Sequence, residues 1–167
     1  MQNPKYSLKM KQILPSLIAD IFFIDTTKTK PSKTTTDKIF MTSTDAESGR
    51  TLMIEEDEYS IWAYILKPNM EGVDFDGFLC AIVDPNSLNI HPEDATKNGN
   101  GTPLTAHYSN QYSYMRNVSS KDIHIYWKQD QIEIKLKKEI YLIMDLKTKA
   151  SYSKALSKDC YYGYTLR

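Results

Sequence analysis

A mainly β fold, with a minor α component, follows from three features of this sequence. Most apolar residues recur with period two, the apolar runs are short, and segments rich in Gly, Pro, Asn, Asp and Ser separate them. The expected architecture is an antiparallel sheet or sandwich that ends in a C-terminal meander and carries one or two short helices near residues 92–116. The 167 residues, 41% hydrophobic and 25% charged, fit one soluble domain able to bury about two-thirds of its unfolded surface.

The chain divides into an N-terminal segment with a Thr/Lys-rich linker, residues 1–36, and a single β-rich domain, residues 37–167. The stretch Ile13 to Ile24 is apolar but contains Pro15 and Asp20, and it falls short of the roughly 18 residues a membrane span needs. Lys5, Lys9 and Lys11 precede it in the manner of a signal peptide, yet Asp20 and the lack of a small-x-small site argue against one. Thr26 to Thr36 contains no large apolar residue and reads as a linker. Ile21-Phe22-Phe23-Ile24 is then expected to dock on the main body as an extra strand or short helix, because four apolar side chains left in water invite association. With only Cys80 and Cys160, a disulfide framework is not expected, and a reducing cytosolic compartment fits.

Within the domain, Lys38 to Thr42 and Thr51 to Ile54 flank a polar turn at residues 46–50. The acidic cluster Glu55-Glu56-Asp57-Glu58 then leads into Tyr59 to Lys67. There Ile61, Ala63 and Ile65 alternate with Trp62, Tyr64 and Leu66, which predicts a strand buried on both faces. Pro68 to Gly72 turns the chain into Phe75 to Val83, its expected neighbour at the centre of the sheet.

Residues 84–102 form a long connection bounded by Asp84-Pro85-Asn86-Ser87 and Asn98-Gly99-Asn100-Gly101. Pro92, Glu93, Asp94, Lys97 and Gly99 have the order of one short helix. Connections of this length are often functional or disordered. Thr102-Pro103 can start a second helix, with Leu104, Tyr108, Tyr112 and Met115 at spacings of four, four and three. The same segment also alternates as Leu104, Ala106, Tyr108, then Tyr112, Tyr114, so a strand is the competing reading. Three period-two runs follow: Ile123, Ile125, Trp127; Ile132, Ile134, Leu136; and Ile140, Leu142, Met144. They predict a meander with one wet face, which residues 150–156 and 161–166 extend.

Net charge is zero but uneven: residues 1–38 carry seven Lys against three Asp, 39–100 three basic against twelve acidic groups, and 101–167 eleven against six. Opposed surface potentials result only if these blocks fold onto separate faces.

No motif for chemistry emerges. His91, His107 and His124 are not spaced as metal pairs, no G-x-S-x-G elbow or glycine-rich phosphate cradle is present, and Asp74-Phe75-Asp76-Gly77 lacks the later ligands of a calcium loop. No metal or cofactor is expected. The twelve tyrosines supply apolar area with a polar tip, which suits interfaces as well as sheet surfaces. A neutral chain with an acidic middle block disfavours nucleic acid. The sequence therefore points to a non-enzymatic protein-interaction domain, an adaptor or immunity-type protein, that binds another protein. Its candidate binding residues are His91, Asn98, Asn100, Tyr108, Tyr112 and Tyr114. The alternative is a small β-sheet enzyme or ligand-binding protein with a site near the 84–102 loop, using Asp74, Asp76, His91 or His107.

Overall fold

The computed structural model describes residues 38–89 and 103–167. The expected N-terminal docking segment and the helix at residues 92–99 lie outside them.

Among the described residues, nine strands make two sheets. The first has the order β1-β2-β3-β4, from Phe40–Thr44, Thr51–Glu56, Ser60–Leu66 and Val73–Ala81. The second has the order β5-β6-β7-β8-β9, from Ile123–Trp127, Gln131–Leu136, Glu139–Asp145, Ala150–Ser153 and Tyr164–Thr165. The fold is mainly β as expected, and among the described residues its helices are single 3-10 turns, at Pro85–Ser87, Ala106–Tyr108 and Ser120–Asp122.

Local chemistry sets the turns. Asp45 accepts from both the N–H and the hydroxyl of Ser48, and Gly49 takes φ 68° to close the β1–β2 connection. Asp57 accepts from the N–H groups of Tyr59 and Ser60, each at 2.7 Å, which reverses the chain between β2 and β3. These carboxylates satisfy donors that a tight turn would otherwise leave open.

The sheets pack face to face. Leu52, Ile54, Ile61, Ala63 and Ile65 from the first meet Ile123, Ile132, Ile134, Leu136, Leu142 and Met144 from the second. Each set is one phase of a period-two run, so a single pleat periodicity builds both inner faces. At Gly77 the approach is closest: a Cβ there would lie 2.9 Å from Leu142 Cδ2 and 3.1 Å from Ser151 Cβ.

Three expectations need correction. Trp62 and Tyr64 on β3 are half-buried, while Ile61, Ala63 and Ile65 are fully buried, so the two faces of that strand are not equally covered. β4 is the last strand of its sheet instead of a central one. It reads as central because β7 and β8 pack against it and because Phe78, Leu79 and Cys80 are all fully buried. A register shift makes this possible: Cys80 pairs Ile61 and Phe78 pairs Trp62, leaving Leu79 as an extra residue. Third, β9 runs parallel to β8, so the end of the chain does not continue the antiparallel meander.

The segment 103–116 is not the amphipathic helix its spacing suggests. It holds one 3-10 turn, and a single parallel bridge joins Tyr114 to Ala81. Its polar groups are satisfied over long range: Asn110 donates to the carbonyls of Lys154 at 2.9 Å and Leu156 at 3.1 Å and accepts from the Tyr112 N–H at 2.8 Å. Ser113 donates to the carbonyl of Ala155 at 2.6 Å, and the N–H of Ala81 donates to the carbonyl of Ser113. Short polar side chains that can bond to backbone compete with the helical ladder, and here they win.

Candidate functional site

Alternation leaves one face of the second sheet toward solvent, and register decides what stands there. Tyr126 pairs Glu133, Glu133 pairs Ile143, Ile143 pairs Tyr152, and Tyr152 pairs Tyr164. Residues directly opposite on neighbouring strands share a face. A row therefore crosses all five strands, spanning about 19 Å at the usual strand spacing. Tyr126 is 46% exposed and Tyr164 50%, two of the four large exposed hydrophobics among the described residues. Tyr152 and Tyr164 lie with ring centroids 5.5 Å apart, and the Lys135 ammonium sits 4.9 Å above the Tyr126 ring. Glu133, second in the row, forms an ion pair with Lys128. A row on a hydrogen-bonded sheet, with exposed tyrosines at both ends and its carboxylate neutralised, offers apolar area and hydroxyl tips without the entropic cost of ordering a loop.

Tyr126, Ile143 and Tyr152 are not among the residues that the sequence singles out. Each occupies the phase opposite the inward residues of its strand, which was the available signal. Their convergence into one row depends on register.

Charge separates between the sheets. Residues 38–89, with the whole first sheet, hold three basic against ten acidic groups, and residues 103–167, with the whole second sheet, hold eleven against six. The described parts of the middle and C-terminal sequence blocks thus fall on different sheets, the condition for opposed surface potentials.

Of the residues singled out from sequence, His91, Asn98 and Asn100 lie outside the described residues. Tyr108 is half-buried in a second cluster with Phe78, Leu104, Leu156 and Tyr162, its ring edge-on to Tyr161 at 5.6 Å. Tyr112 packs on the main core beneath the Lys154 ammonium, 4.2 Å from its ring centre. Tyr114 is half-buried, and its hydroxyl accepts from Arg116. The three tyrosines thus point to three surroundings and do not form one patch.

Of the alternative site, the described residues Asp74, Asp76 and His107 have separate surroundings. Asp74 is bridged by Lys149 at 2.6 Å. Asp76 stands opposite Tyr64 on the outer side of the first sheet, where burial pushes its carboxyl up to about 6. His107 is exposed and lies 2.6 Å from the Lys158 ammonium. On the same side as Asp76, burial also raises Asp57 and Glu55. Among the described residues, no three His, Cys, Asp or Glu side chains come together to hold a metal ion, and no helix is long and apolar enough to cross a membrane. Compared with known proteins, the chain matches no family model, no curated protein and no solved structure.

Proposed function

We propose that this protein is a non-enzymatic interaction domain of adaptor or immunity type that docks another protein on the outer face of its second sheet. The observation that carries the reading is the row Tyr126, Glu133, Ile143, Tyr152 and Tyr164, held across five hydrogen-bonded strands with both end tyrosines exposed. Tyrosine is enriched where interfaces concentrate binding energy, and a sheet presents it preorganised. Two cysteines outside any disulfide support a reducing, cytosolic setting.

The test is affinity capture of the tagged full-length protein from its native cells, followed by sizing and mass spectrometry. A stoichiometric protein partner held by the wild type and lost by the Tyr126→Ser/Tyr164→Ser double variant is the expected result. Equal retention by both, or a bare monomer or homo-oligomer from the wild type, overturns the reading.

A further inference from the structure

We propose that the partner is recognised through a carboxylate-rich segment that lies along one end of the aromatic row, an inference that rests on the docking face above. Beside the row, His124 of β5 and Lys135 of β6 stand directly opposite each other, about 7 Å from Tyr126 and Glu133 along the strands. Beyond them, Lys137 and Lys138 form the two-residue β6–β7 turn, and Lys121 lies in the 3-10 turn Ser120–Asp122 that enters β5. The N–H of Lys137 donates to the Asp122 carbonyl at 3.0 Å, which holds the two turns side by side. Two stretches of chain, 121–124 and 135–138, thereby bring four lysines and a histidine to one end of the sheet.

The carboxylates nearby are already engaged. Asp122 accepts from the N–H and hydroxyl of Ser119, Glu139 pairs with Lys154, and Glu133 pairs with Lys128. Lys121, Lys137 and Lys138 are exposed, and none of them forms an ion pair with a described carboxylate. The backbone adds an independent sign: Lys137 at φ 50° and Lys138 at φ 76° both occupy the left-handed region. Two-residue hairpin turns need that geometry, and Asn-Gly adopts it without the strain that two lysines incur. The turn thus holds two cations at a cost in backbone strain, at the end of the strand that carries Glu133 and Lys135. A carboxylate-bearing polypeptide whose apolar side chains rest on the tyrosines complements both parts. A single strand of nucleic acid would also stack on aromatics but asks for a stronger basic excess than a neutral chain offers.

The experiment is fluorescence anisotropy with the full-length protein and a fluorescein-labelled peptide of eight glutamates and one tryptophan, with labelled dT12 alongside. The wild type should bind the peptide and lose affinity between 50 and 200 mM NaCl. The Lys137→Asn/Lys138→Gly variant, whose turn suits the geometry better, should bind it at least tenfold more weakly while melting a few degrees higher. Undiminished peptide binding by that variant, or tighter binding of dT12 than of the peptide, overturns the proposal. Capture from cells separates the two layers. A partner lost by the tyrosine variant but kept by the lysine variant refutes the carboxylate inference alone, and one kept by both refutes the docking face as well.

Discussion

Asn110 is the residue whose loss should be most informative about how the segment 103–116 is held. Its side chain donates to the Lys154 and Leu156 carbonyls and accepts from the Tyr112 N–H and, at 3.3 Å, from the Ser113 hydroxyl, which also bonds the Ala155 carbonyl, so Asn110→Ala removes three hydrogen bonds and a fourth, shared one at once. Each is worth about 1 kcal/mol net, and a backbone group left buried without a partner costs about 1–3 kcal/mol. Because the site is half-buried, water can replace part of this, and the expected loss is about 2–3 kcal/mol. Urea unfolding reads it as a lower midpoint at unchanged slope. Ser109→Ala, which removes one exposed bond to the Ala106 carbonyl, serves as the control and should cost less than about 0.5 kcal/mol. Equal effects from the two variants would refute the claim that Asn110 replaces helical bonding in this segment.

Other consequences are equally measurable. Gly77→Ala drives a methyl into Leu142 and Ser151 and should cost about 1–3 kcal/mol. Much of this should be recovered in a double-mutant cycle with Leu142→Ala, whereas strict additivity would contradict the close approach of the sheets. Asp76 has a folded-state pKa of about 6, above its unfolded value of about 3.9. The protonated form suits the fold, so its contribution is full below about pH 4 and is lost as pH rises through about 6. Asp76→Asn should therefore be more stable than wild type at pH 7.5, by no more than about 3 kcal/mol, and equal to it near pH 3.5. A difference of the same size at both pH values would refute the burial argument. Cys80 is fully buried and its thiol is pushed up to about 12 by burial, whereas Cys160 is only half-buried. Iodoacetamide should modify Cys160 first in the folded protein and reach Cys80 only on global unfolding.

Much of the fold was readable from the sequence because pleat periodicity acts within single strands. Ile123, Ile125 and Trp127, or Ile132, Ile134 and Leu136, declare an inward phase without reference to any other segment. The segment 103–116 misleads for a related reason. Leu104, Tyr108, Tyr112 and Met115 have helical spacing, but Leu104 and Tyr108 pack in the second cluster while Tyr112 and Met115 pack on the main core. Periodicity marks a face only when one partner surface supplies the burial, and here two surfaces do. The aromatic row was hidden because its members sit on different strands, from Tyr126 on β5 to Tyr164 on β9, and only cross-strand register aligns them.

The claim that the outer face of the second sheet is the docking surface is tested most directly by photo-crosslinking in living cells. Benzoylphenylalanine would stand in turn in place of Tyr126, Tyr164 and Thr42, the last exposed on β1 of the first sheet. The account predicts one discrete protein adduct, shared by positions 126 and 164 and missing at 42. An adduct from position 42 alone, or equal adducts from all three, would contradict it.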